Sequence, residues 1–173
     1  DQNSLRVELI EAGLMRMAEV LDLEQPYEQR LAAYREAREM LSGLMQAKNG
    51  SSAPEMYAIG NSHLDVCWLW PLEETRRKTA RTFAQQLRLM EEYPEYRYLQ
   101  SQPVLYELCK QNYPELYERI KAKIADGQWI AEGAMWVEPD TNMSSGEALI
   151  RQFLYGKRYF QEEFGIDSKI CWL

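Results

Sequence analysis

Two apolar stripes open the chain. Ile10, Leu14, Met17 and Leu21 recur at helical spacing, and so do Leu31, Tyr34, Leu41 and Met45, with Pro26 breaking the run between them. The pattern predicts a helical hairpin over residues 1–47, each helix packing through one stripe. Residues 48–55 follow as a linker, because Lys48-Asn49-Gly50-Ser51-Ser52-Ala53-Pro54 has Gly, Ser and Pro but no apolar anchor.

From residue 56 onward short apolar runs alternate with longer amphipathic ones. Met56–Gly60 reads as a short buried strand. Pro71 opens a long helix, with Glu73 and Glu74 in the first turn where the dipole favours acids. Leu72, Thr79, Phe83, Leu87 and Met90 mark its apolar face, and Tyr93-Pro94 ends it. Arg97–Ser101 reads as a second strand. Helices are expected from about Val104 and from Pro114, the latter closing near Asp126-Gly127. Gln128–Ala134 reads as a third strand, Gly146 or Glu147 to Phe164 as a helix stopped by Gly165, and Lys169–Leu173 as a fourth strand. This order predicts an α/β fold: a parallel sheet with surrounding helices, preceded by a helical hairpin. In such folds reactive groups lie beyond the C-terminal strand ends. The loops after Gly60, Leu99, Ala134 and Leu173 are therefore where chemistry is expected.

Charge and cysteine usage narrow the function classes. The 27 acidic against 20 basic residues leave a net charge of -7, which weighs against nucleic acid or an anionic membrane as partner. Arg76, Arg77, Lys78 and Arg81 accordingly read as a solvated helix face. No stretch approaches the ~20 apolar residues that span a bilayer, and DQNSLRVELIEAG lacks the basic-then-apolar pattern of a signal peptide. Cys67, Cys109 and Cys171 are odd in number and far apart, which argues against a disulfide framework or a cysteine zinc site and points to a reduced, cytoplasmic setting. Five Trp and eleven Tyr suit a large core, and also sugar binding through ring faces.

The chain holds one histidine, His63. Any metal or acid–base chemistry in this segment uses that residue or carboxylates. His63 lies in the loop Gly60-Asn61-Ser62-His63-Leu64-Asp65-Val66-Cys67-Trp68-Leu69-Trp70-Pro71. In extended backbone residues i and i+2 point to one side, so His63 and Asp65 can aim at a common point as nitrogen and oxygen legs of a metal site. An HxD triplet alone is a weak signal, since a lone histidine is more often structural. Its place between an apolar strand and a helix opening with Pro strengthens it. Asp140 ends the aromatic run Met135-Trp136-Val137-Glu138-Pro139, at the mouth position after the third strand, and reads equally as a turn aspartate. Gln100 and Gln102 can line the same mouth or bond within a turn. Glu132 and Glu138 flank Asp140, and alternation can turn either inward. Arg151 can reach a site carboxylate or sit on a solvated helix face.

The sequences GNSHLDVCWLWP, EETRRKTARTFAQQLRLMEEYPEY, LQSQP and GAMWVEPDTNMSSGEALIRQFLYGKRYF occur in this order. Together, over roughly residues 55–173, they resemble glycoside hydrolase family 38, the class II α-mannosidases, and within it the bacterial, vacuolar and cytosolic branch. The resemblance implies that residues 56–173 are the N-terminal portion of a catalytic domain, the first half of a distorted seven-stranded β/α barrel. It implies His63, Asp65 and Asp140 as zinc ligands, with cobalt the other candidate ion. Asp140 would also be the catalytic nucleophile, and Trp68 would pack on the mannose ring. The family's second ligand histidine and its acid/base aspartate are expected past Leu173.

The expectation is hydrolysis of α-mannosidic bonds in mannose-containing oligosaccharides with retention, as part of a longer enzyme, the given chain being inactive alone. Two rivals stand beside it: a metal-dependent hydrolase of the sugar deacetylase kind, and a non-catalytic fragment or carbohydrate-binding module. Apolar surface on such a portion leaves an oligomer open.

Overall fold

The structure, a computed structural model, describes residues 5–46 and 55–173. The expected linker over 48–55 falls, except for Glu55, outside these. The chain divides into two compact units, Asp1–Met56 and Tyr57–Leu173.

The first unit is a helical hairpin of α1 (Leu5–Val20) and α2 (Tyr27–Gln46). Its fully buried positions are small residues rather than the large residues of the stripes. Gly13 and Ala37 are the buried positions, and a Cβ on Gly13 would stand 2.7 Å from a Leu44 methyl. Leu14, Tyr34 and Met45 remain exposed. Gly13 leaves room for the Leu44 and Leu41 side chains to close against α1, while Ile10, Met17, Leu21, Leu31 and Leu41 of the stripes are half-buried.

The second unit is α/β. Its elements are β1 (Gly60–Asn61), α3 (Leu72–Glu92), β2 (Tyr98–Gln100), α4 (Pro103–Asn112), α5 (Pro114–Ala125), β3 (Trp129–Ala131) and α6 (Gly146–Phe164). The strands form a parallel sheet in the order β1-β2-β3, with Gly60 beside Tyr98 and Leu99 beside Ile130. The core lies between sheet and helices. Trp129 packs edge-on against Phe83 and Tyr98, at ring-centroid distances of 5.1 and 4.7 Å. Phe83, Leu87 and Met90 of α3 are buried there as their spacing requires. Leu72 is exposed instead, and Thr75, one turn further in, takes the buried place. Helix α6 is closed by its own chemistry: Ser145 Oγ accepts the Ala148 N–H at 3.2 Å, and Gly165 leaves the helix with φ 70°.

Two expected strands are corrected. Met56–Gly60 is not a buried strand: pairing is confined to Gly60–Asn61, and Met56 and Tyr57 are 94% and 81% exposed. Among the described residues β1 pairs with β2 alone, and the exposed residues before Gly60 have no ladder partner to extend the strand. Lys169–Leu173 contributes a single parallel bridge, Cys171 to Gly133, in place of a fourth strand. The Glu132 carboxylate accepts the backbone N–H groups of Lys169 and Ile170, at 2.7 and 3.1 Å, and so diverts two ladder donors. Gly133, at φ 144°, turns the end of β3 away from a regular ladder.

Candidate functional site

The three strands end on one side of the sheet, and the loops that follow them meet there. After β1 the side chains alternate: Leu64 and Val66 pack toward the core, while His63 and Asp65 share the other side. His63 Nε2 stands 3.1 Å from Asp65 Oδ1. Thr75, buried on α3, donates its hydroxyl to the Asp65 carbonyl at 3.3 Å and so fixes the backbone beneath the pair.

The loop after β3 supplies a third group. Glu138 Oε2 lies 2.6 Å from His63 Nδ1, and the Glu138 side chain is only 8% exposed. Its other oxygen accepts the Ser101 hydroxyl, from the loop after β2, at 2.5 Å. Burial pushes the His63 pKa down, but hydrogen bonds and charge from Asp65 and Glu138 outweigh that and hold it above the usual histidine value.

Gln102 ties the loops together. It follows β2 in the left-handed region, at φ 54°, and is buried. Its amide donates to the Leu64 carbonyl at 3.0 Å and accepts the Glu138 N–H at 3.3 Å. One side chain thus joins the loop bearing His63 to the loop bearing Glu138. Helix α6 braces the second loop from behind: the Gln152 carbonyl accepts the Trp136 N–H at 3.0 Å, and its amide oxygen accepts the Val137 N–H at 2.9 Å.

The sequence-derived residues are therefore placed as follows. His63 and Asp65 come together. Asp140 is exposed and caps a turn, its Oδ1 accepting the Asn142 N–H at 2.9 Å, with no ion pair to His63 among the described residues. Trp68 is 66% exposed, its ring edge-on to Trp70 at 5.5 Å, while Trp70 is anchored by a hydrogen bond to Thr75. Gln100 turns into the core, where Tyr98 donates to its side chain. Arg151 pairs with Glu147 on the helix surface at 2.8 Å, the solvated-face reading. The two glutamates divide: Glu132 latches residues 168–170, whereas Glu138 faces His63. Sequence reasoning did not choose between them and did not find Ser101. Parity held no signal for the choice, since Glu132, Glu138 and Asp140 are separated by even numbers of residues, yet only Glu138 faces His63.

Imidazole nitrogen and carboxylate oxygen are the donor types that zinc takes. Two ligands ~2.0–2.2 Å from one tetrahedral ion stand roughly 3.3–3.6 Å apart. The 3.1 Å between His63 Nε2 and Asp65 Oδ1 fits two such legs after a small adjustment. Among the described residues no three His, Cys, Asp or Glu side chains form a group that could hold a metal ion.

The family model for the glycosyl hydrolases family 38 N-terminal domain matches residues 53–173. The chain belongs to this family. It is 51% identical over 117 residues to "Alpha-mannosidase G" of Dictyostelium discoideum, covering 68% of this chain and 11% of that one. To "Alpha-mannosidase" of Saccharomyces cerevisiae it is 45% identical, over 68% of this chain and 11% of the relative. To "Alpha-mannosidase 2C1" of Homo sapiens it is 39% identical over 91% of this chain and 15% of the relative. A span of 91% takes in much of the helical hairpin as well as the family 38 match. The chain spans 11–15% of the length of these relatives.

Proposed function

We propose that this chain is the front of the catalytic domain of a zinc-assisted, retaining α-mannosidase acting on mannose-containing glycans. The observation that carries the proposal is the His63–Asp65 pair, 3.1 Å apart beyond the end of β1, in a family 38 chain whose relatives are named α-mannosidases. In this reading His63, Asp65 and Asp140 hold the metal, Asp140 is the nucleophile, and Trp68 packs on the sugar ring. The remaining barrel strands, a further ligand histidine and the acid/base group come from the rest of the protein.

Zinc held by His63, Asp65 and Asp140 would supply positive charge that keeps a neighbouring carboxylate ionised and would offer a binding point for sugar hydroxyls, which would suit the axial 2-hydroxyl of mannose. The protein's residues carry the reaction. The Asp140 carboxylate attacks C1, and the bond from C1 to the leaving oxygen breaks as a second carboxyl group, ~5–5.5 Å away, protonates that oxygen. Water then opens the mannosyl–Asp140 ester, giving its proton to the same second group, and configuration at C1 is retained. Asp140 is exposed at the end of its loop, as attack requires.

Two measurements test this. Zinc content and affinity of the chain are compared with those of His63→Ala and Asp140→Ala. Loss in both supports the shared site, and undiminished zinc in either variant removes that residue from it. In the full-length protein a fluorinated mannosyl trap should label Asp140. Turnover without labelling would point to an attacking water, the deacetylase-like alternative.

A further inference from the structure

Four side chains from three loops form a continuous line across the sheet end. Ser101 Oγ donates to Glu138 Oε1 at 2.5 Å, Glu138 Oε2 faces His63 Nδ1 at 2.6 Å, and His63 Nε2 faces Asp65 Oδ1 at 3.1 Å. The two sides of the imidazole are unequal. The Nδ1 side meets a carboxylate that is almost wholly enclosed, with one oxygen on His63 and the other on Ser101. The Nε2 side meets a shorter, more exposed carboxylate at a longer distance. Gln102 also holds the Glu138 backbone N–H, so the acceptor is fixed in main chain and side chain alike.

We infer that Glu138 is a positioning residue: it accepts the Nδ1 proton of His63, sets the ring's tautomer and plane, and leaves the Nε2 lone pair beside Asp65 as the ligating edge. The inference rests on the zinc reading for its use, though not for its geometry. A histidine that ligates through one nitrogen generally donates its other N–H to a carboxylate or carbonyl, which fixes the ring and raises its basicity. Glu138 is not itself a ligand in this arrangement. Both of its oxygens are committed, and it lies on the side of the ring opposite Asp65. Ser101 in turn holds Glu138, so the loops after β2 and β3 jointly orient a residue in the loop after β1.

His63 is the only histidine of the chain, so imidazole nitrogen resonances report it without overlap. In the metal-free 173-residue chain at alkaline pH, Nδ1 should read as the protonated nitrogen and Nε2 as the bare one. Glu138→Ala should move the ring toward the Nε2–H tautomer. It should also weaken zinc binding about 10–100-fold, the usual size of an outer-partner effect. Glu138→Gln keeps an acceptor oxygen without the charge and should fall between wild type and Glu138→Ala in both readouts. Ser101→Ala, should Glu138→Ala fail to fold, should shift the tautomer in the same direction by less. An unchanged tautomer in the variants that fold, Glu138→Gln and Ser101→Ala among them, overturns the inference. His63→Ala is the separate control: if it binds zinc as wild type does, the zinc reading fails while the tautomer result still decides the role of Glu138.

Discussion

Gly156 of α6 lies directly against the backbone of Ala134, so close that a Cβ at Gly156 would stand 2.1 Å from the Ala134 carbonyl oxygen. Met135 and Trp136 backbone atoms lie within 2.8 Å of the same point. The absence of a side chain at one helix position therefore sets the path of the loop that carries Glu138 and Asp140. Neither atom group is the movable tip of a side chain. Gly156→Ala must shift helix or loop, at a cost of about 1–3 kcal/mol or more. Denaturant unfolding of the two proteins checks this, and an unchanged midpoint would mean that the contact is looser than the structure has it.

Gln102 is the second point of control. Gln102→Leu fills much the same volume but leaves the partly buried Leu64 carbonyl and Glu138 N–H without their partner. The expected loss is about 1–3 kcal/mol for each group left unsatisfied. Stability should fall together with zinc affinity, because the two loops lose their common tie. A variant that loses stability but keeps its affinity would show that the His63 loop holds its own shape.

Trp68→Ala separates a binding role from a structural one. The ring is exposed, so stability should change by no more than about 0.5 kcal/mol. If the ring packs on the sugar, its loss removes an aromatic contact of about 0.5–1.5 kcal/mol, or roughly a 2–12-fold rise in KM for a mannoside in the full-length enzyme. Unchanged KM would remove Trp68 from the sugar site.

Acid stability should depend on a cluster joining α4, α5 and α6. Glu163 accepts from Lys110 Nζ at 2.6 Å and from Tyr117 OH at 2.8 Å. Burial raises its pKa, but these two partners outweigh that and hold it below the ordinary 4.5. A carboxyl depressed in the folded state stabilises above its unfolded pKa, and that stability is lost as pH falls through the folded value. Glu163→Gln should therefore be less stable than wild type by about 1 kcal/mol at neutral pH, since Lys110 is half exposed. The gap should close as pH drops below 4.5, which thermal or denaturant unfolding at a series of pH values measures. A constant gap would assign the loss to packing.

What the sequence determined by itself was local. Thr79, Phe83, Leu87 and Met90 recur at helical spacing, and that alone fixes which face of α3 is buried. Ser145 and Gly165 carry in their own side chains, or lack of one, the chemistry that starts and stops α6. The alternation of His63 and Asp65 with Leu64 and Val66 placed the candidate ligand pair, because side-chain parity in extended backbone needs no distant partner. Only the tertiary structure decided the rest. Whether Met56–Ile59 is buried depends on what lies over the sheet edge, and here its residues are exposed. Glu132 and Glu138 look alike in sequence, yet one meets backbone donors at 168–170 and the other meets His63. Ser101 and Glu138 are 37 residues apart. No periodicity spans such a separation; the parallel pairing of β1, β2 and β3 brings their following loops to one end, and that pairing is a long-range packing event rather than a property of any segment.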